Sequence, residues 1–157
     1  METLPCDIWT EDSVLGSVIF HKGEYEKVFK YFSNDEIFYQ KRARLLWKKI
    51  VKMERSKEPV NCLTICSSLT KEDTKEGLTA YYVTECTSNA GALGATEFHA
   101  NKLYEKYLLR RIVVEANNVK EKAMANANDV YEEIVQAHSL FGELINIRPS
   151  KIQDIED

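Results

Sequence analysis

A chain of 157 residues with 44% hydrophobic content can bury a real core, as one domain or as a compact head with an extension. Its net charge of -4, with lysines and arginines mixed among carboxylates, offers no basic stripe and argues against direct nucleic-acid binding. No run approaches the ~18 apolar residues of a membrane span, and METLPCDIWTED lacks the order of a signal peptide, so the expected setting is cytoplasmic, with four reduced cysteines.

Pro5 and Asp7 open a first helix through DIWTEDSVLGSVIF, with Ile8, Leu15, Val18 and Ile19 on its apolar face and an end near His21-Lys22-Gly23. Tyr25, Val28, Phe29 and Phe32 mark a short amphipathic helix, after which Ser33 or Asn34 can cap the next element. Tyr39, Ala43, Leu46, Ile50 and Met53 recur at helical spacing through FYQKRARLLWKKIVKM and predict a helix to about Glu54. Pro59 makes ERSKEPV a connection. Asn61 then caps a short helix, CLTICSSL, and TKEDTKEG reads as a polar, mobile loop. LTAYYVTEC has a β-prone core, but with no second strand to pair with it is assigned to helix. SNAGALGA is a loop and the expected boundary between a helical head (residues 1–97) and a helical hairpin (98–147) of the same domain.

The hairpin is the most strongly patterned segment. Tyr104, Leu108, Ile112, Ala116, Val119 and Ala123 line one helix face, and Val130, Ile134, Ala137, Phe141 and Leu144 form a near-heptad seam on the next. The link Ala125-Asn126-Ala127-Asn128 is short enough to make the pair antiparallel, and Asp129 with Glu132 three residues on carries a helix-start signature. Such a hairpin buries too little alone and needs a partner. Arg148-Pro149-Ser150 breaks the second helix, and residues 148–157 read as the start of a linker.

The inventory of chemistry is short. No glycine-rich turn ends in Gly-Lys-Ser/Thr, and GALGA fails the GxGxxG spacing. Cys62 and Cys66 share a helix face without a third ligand nearby, and His21, His99 and His138 are scattered, so neither a catalytic nor a metal site is expected. Glu132-Glu133 reads as a solvated pair. Arg110 and Arg111 are expected to pair with Glu105 and Glu115 on the helix surface rather than to touch DNA.

Four segments in order, SVLGSVIF, FYQKRARLLW, PVNCLTI and LYEKYLLRRIV, resemble the N-terminal domain of DnaB-type replicative DNA helicases over about Pro5 to Ile147. Glu11, Val14, Leu15 and Gly16 match the family's acidic pair and Val-Leu-Gly step. Phe38, Tyr39, Arg44, Leu46 and Trp47 match the second motif, with Ala43 in place of its histidine. Pro59, Val60, Thr64 and Ile65 match the third, with Asn61 where Asp is usual; Glu105, Lys106, Leu108, Leu109 and Arg110 match the last. Before the hairpin, Gly94-Ala95 stands where the family has an Ala-Asn pair.

The resemblance implies an all-α fold: a small multi-helical head followed by a long antiparallel hairpin. It also implies a non-catalytic scaffold whose hairpins pair between subunits into a dimer and a trimer of dimers, forming a hexamer collar that docks a DnaG-type primase and leaves room for a helicase loader. ATP, Mg and DNA would be handled only by an ATPase domain after the linker, absent from this chain. Candidate interface residues are Val113, Val119, Val130, Ile134, Phe141 and Ile145, and the candidate primase anchor is Tyr82, on the expectation that only one ring of the Tyr81-Tyr82 doublet is buried. The competing readings are a free-standing dimeric all-α adaptor unrelated to helicases and a small enzyme using Cys62, Cys66 or a histidine.

Overall fold

A computed structural model describes residues 4–32, 34–125 and 129–146. The elements it shows among them are helical: α1 (Ile8–Phe20), α2 (Glu24–Phe29), a 3-10 turn (Asp35–Ile37), α3 (Lys41–Arg55), α4 (Cys62–Ser67), α5 (Lys71–Lys75), α6 (Ala80–Ser88), α7 (Thr96–Met124) and α8 (Val130–Asn146). The chain forms two compact units that divide inside α7: Cys6–Tyr107 is one, and Leu108 onward, with the segment ending at Pro5, is the other.

The head is organised around α1. Asp7 starts it, accepting the Thr10 N–H at 3.0 Å. Every residue from Thr10 to Ile19 is buried, so α1 is a central helix rather than the one-faced amphipathic helix its apolar spacing suggests. Its polar residues tolerate burial because each shown here has a partner. Ser17 Oγ donates to Ser13 O and accepts the Gly91 N–H, each at 2.8 Å. Gly16 sets how closely α6 approaches: a Cβ there would lie 1.8 Å from the Cys86 carbonyl oxygen.

Glu11 and Asp12 join α1 to its neighbours. The wholly enclosed Glu11 carboxylate accepts the Tyr39 N–H at 2.6 Å and the Gln40 N–H at 3.2 Å. It therefore caps α3 from another helix, and with Phe38 and Gln40 extended α3 starts at Lys41. Asp12 Oδ1 accepts the Tyr82 hydroxyl at 2.6 Å and Gln40 Nε2 at 3.3 Å, tying α1 to α6 and to the α3 start.

α3 then supplies the aromatic core. Ala43, Leu46, Trp47, Ile50 and Met53 are its buried face. Trp47 packs edge-on to Phe32, at 5.2 Å between ring centroids, while its indole N–H donates to Phe32 O at 3.0 Å. Arg44 Nε donates to Phe38 O at 2.6 Å, holding the turn before the helix. Asn34 caps the 3-10 turn, accepting the Glu36 N–H at 2.9 Å; the alternative cap Ser33 lies outside the described residues.

The expected α4 forms behind a capping box of Asn61 and Thr64, with Thr64 Oγ1 also donating to Pro59 O at 2.6 Å. TKEDTKEG, expected as a loop, contains α5. A second capping box, Thr70 with Asp73, starts this short helix, and Lys49 pairs with Asp73 at 3.0 Å while Lys41 pairs with Glu76. None of its residues is buried, which is why apolar periodicity did not reveal it. α6 is helical as expected, with Thr79 accepting the Tyr82 N–H at 3.1 Å. The 89–95 loop closes against the head: Gly94 sits at φ +89°, and His21 Nε2 donates to Gly91 O at 3.2 Å.

In the second unit the chain turns back after α7. Asp129 accepts the Tyr131 and Glu132 N–H groups at 2.9 and 3.2 Å, and Lys122 Nζ donates to Gln136 Oε1 at 3.1 Å across the two helices. The rest of the link, 126–128, and the expected linker 148–157 lie outside the described residues.

Candidate functional site

The candidate site is an apolar surface. Over α8 no residue is buried, although Val130, Ile134 and Ile145 stand at 65%, 59% and 67% exposure. Phe141 and, on α7, Val113 are exposed, and Val119 is half-buried. Ile112, which the sequence places on the apolar stripe, and Leu109 are exposed too but were not among the interface candidates, and Val114, Tyr131 and Val135, exposed on the same helices, were passed over. The signal for them was present. Ile112-Val113-Val114 are consecutive, at ~100° per residue, and cannot all face one partner helix.

Several charged residues of α7 are engaged within the fold. Arg111 Nη2 donates to Glu115 Oε1 at 2.9 Å, the expected i,i+4 pair. Arg110 Nη1 donates to Pro5 O at 2.9 Å and is buried, a role no local pattern announces. Glu105 is paired with Lys102 at 2.8 Å.

Tyr82 is not an exposed anchor, which corrects the expectation placed on it. It is 1% exposed on the face of α6 that also buries Val83 and Cys86. Its hydroxyl is taken by Asp12, and the Arg42 guanidinium lies 4.1 Å from its ring centroid. Burial pushes its ionisation far above the ordinary tyrosine range. The doublet does divide, in the opposite sense: Tyr81, about 100° around the helix, is 77% exposed.

Cys62 and Cys66 are half-buried, and burial followed by the neighbouring Cys62 raises the Cys66 thiol. Among the described residues no three His, Cys, Asp or Glu side chains converge as a metal site, and no helix is long and apolar enough to cross a membrane.

A helical head with an apolar helical hairpin and a core of buried caps defines an all-α domain. Residues 3–105 match the family model described as the DnaB-like helicase N terminal domain, and the chain belongs to that family. It is 22% identical over 155 residues to the replicative DNA helicase DnaC of Bacillus subtilis (strain 168), and 25% identical over 157 residues to the replicative DNA helicase DnaB of Leifsonia xyli subsp. xyli (strain CTCB07). Those alignments take 98% and 99% of this chain but 34% and 33% of the relatives, so the chain spans about a third of their length. The crystal structure of the N-terminal domain of DnaB helicase from Mycobacterium tuberculosis superposes with a TM-score of 0.80 at 24% identity, covering 90% of this chain and 99% of that one, and shares the all-α fold.

The first three motifs that carried the resemblance prove to be parts that build the head, and the fourth lies in α7. The acidic pair caps α3 and binds Tyr82, the glycine admits α6, and the Pro-Val-Asn-x-x-Thr segment is the α4 capping box.

Proposed function

We propose that this chain is the non-catalytic N-terminal scaffold of a replicative DNA helicase, acting in DNA replication by pairing its hairpin with that of a second copy. The observation that carries this reading is α8, seventeen residues long with none buried. An amphipathic helix left that bare lacks its partner. Burying an Ile, Val or Phe side chain is worth roughly 1.5–3 kcal/mol, so a handful from each copy offsets a large part of the cost of association. A two-fold axis would bring the same stripe together from both copies. Pairs of this kind are the units from which a trimer of dimers, the hexamer collar, is assembled.

The same scaffold would dock a DnaG-type primase, and a helicase loader is a further candidate partner. With Tyr82 internal, the exposed aromatic available on α6 is Tyr81. ATP, Mg and DNA belong, in this reading, to the ATPase domain of the longer protein.

Sedimentation over a dilution series tests the pairing. The chain should associate at tens of micromolar, and Ile134→Glu or Phe141→Glu should weaken association at least tenfold without lowering helix content. A chain that stays monomeric at those concentrations defeats the reading for the isolated domain. Titration of a primase C-terminal domain against Tyr81→Ala tests the docking role; unchanged affinity removes Tyr81.

A further inference from the structure

The mixed charge of the whole chain conceals one strongly basic element. From Lys41 to Lys57 there are eight lysines and arginines against one carboxylate, Glu54. Most of these cations are engaged: Lys41 and Lys49 with α5, Lys48 with Asp35 at 3.2 Å, Arg42 on the Tyr82 ring and Arg44 on the Phe38 carbonyl. Lys52 and Arg55 are exposed and make no ion pair or hydrogen bond among the described residues.

Both stand on the rim of an open groove of about 520 Å³ between α2 and α3. Its floor is apolar, formed by Phe29, Phe32, Trp47 and Val51. Favourable placement at a helix C-terminus accounts for cations in the last turn of α3. It does not account for the accessible apolar surface beside them, where Phe29 is 36% exposed and Val51 half-buried above the enclosed Phe32 and Trp47.

We propose that this groove, independently of the hairpin, docks an acidic peptide segment of a partner protein that seats one bulky apolar side chain on the floor. Carboxylates on either side of that anchor would meet Lys52 and Arg55. Charge complementarity selects the sign of the partner, and the floor selects a peptide over a nucleic acid. Base stacking needs open ring faces, whereas Phe32 and Trp47 are 1% and 2% exposed. A side chain seated against Phe29 and Val51, flanked by charge pairs, gives an apolar anchor with a polar rim.

The test is amide NMR on the 15N-labelled 157-residue chain with an acetylated hexapeptide, Asp-Glu-Leu-Phe-Asp-Glu, as probe. Saturable shifts should map to residues 29–32 and 48–56 and weaken several-fold with added salt. Lys52→Gln/Arg55→Gln should weaken binding about tenfold, and each single variant about threefold; these side chains are exposed, and the variants' spectra report their folding. Replacing the Leu-Phe pair by serines should abolish binding. Absence of shifts up to about 1 mM peptide overturns the proposal. So does an equal response to a peptide with lysines for its acids, or undiminished binding by the double variant. A twelve-residue oligothymidylate that shifts these amides when the peptide does not would overturn it in favour of nucleic acid.

Discussion

Replacing Glu11 by alanine removes the carboxylate that starts α3 from a different helix, and its cost can be worked from the geometry. The side chain is wholly enclosed, and its oxygens take two backbone N–H groups at 2.6 and 3.2 Å. A hydrogen bond to a charged group is worth about 1.5–3 kcal/mol net, and a buried donor left unsatisfied costs about 1–3 kcal/mol. Tyr39 and Gln40 are only half-buried, so water recovers part of the loss. The expected destabilisation is therefore about 3 kcal/mol for Glu11→Ala, near the lower end of two such bonds. Glu11→Gln keeps one acceptor but turns an amide NH2 towards the other donor, and should cost about half as much. At roughly 2–4 °C per kcal/mol for a chain of this size, the alanine variant should melt ~6–12 °C lower. Urea unfolding followed by circular dichroism gives the free energy, and amide exchange gives the location, with protection lost first at Tyr39, Gln40 and the first turn of α3. A variant within about 0.5 kcal/mol of the parent, the size of a neutral surface change, would refute the trans-capping argument. So would unchanged protection at those amides.

Gly16→Ala tests the close approach of α1 and α6. Elsewhere in a helix the change gains up to about 1 kcal/mol, but here the new methyl would lie 1.8 Å from a backbone oxygen that no rotamer can move. The helices must separate, at about 3 kcal/mol or more in an equilibrium unfolding measurement. Burial, reinforced by the charge of Asp12, pushes the Cys86 thiol up to about 12. Ellman's reagent should therefore leave it untouched in the native chain, react with the half-buried Cys6, Cys62 and Cys66, and reach Cys86 only after unfolding. The Thr70 backbone N–H and then Lys49 hold Asp73 below the usual carboxylate range, and Lys30 does the same for Glu97. Depressed folded values mean the unfolded chain binds more protons. Stability from both groups is complete above their unfolded values near ~4 and is lost as pH falls through and below them. Urea midpoints measured from pH 6 to pH 3 should fall less steeply for Asp73→Asn and Glu97→Gln.

Much of the local structure could be read from the residues because its causes are local. Asp7, Asn61 and Asp129 cap the helices they precede, and the apolar spacing of α3 marks its buried face. The ordered motifs led to the right family for the same reason, since the first three hold a cap, a close approach or a packed aromatic. Other features depend on partners distant in sequence. Nothing near Tyr82 announces that Asp12, seventy residues away, takes its hydroxyl, and without that bond the two rings of the doublet are equivalent candidates for burial. The polar helix α5 is held by a capping box and by Lys41 and Lys49 of α3, not by an apolar stripe.

The sequence by itself therefore determined the helical class, the local caps and the existence of a hairpin with more apolar surface than one partner helix can cover, all consequences of spacing along one chain. Only the tertiary structure decided that Glu11 caps α3, that α1 is buried on every side, that Tyr82 faces inward while Tyr81 faces out, and that Lys52 and Arg55 flank an aromatic groove. These depend on which groups meet across the fold. A carboxylate, a tyrosine or a lysine takes its role from the partner it is brought against.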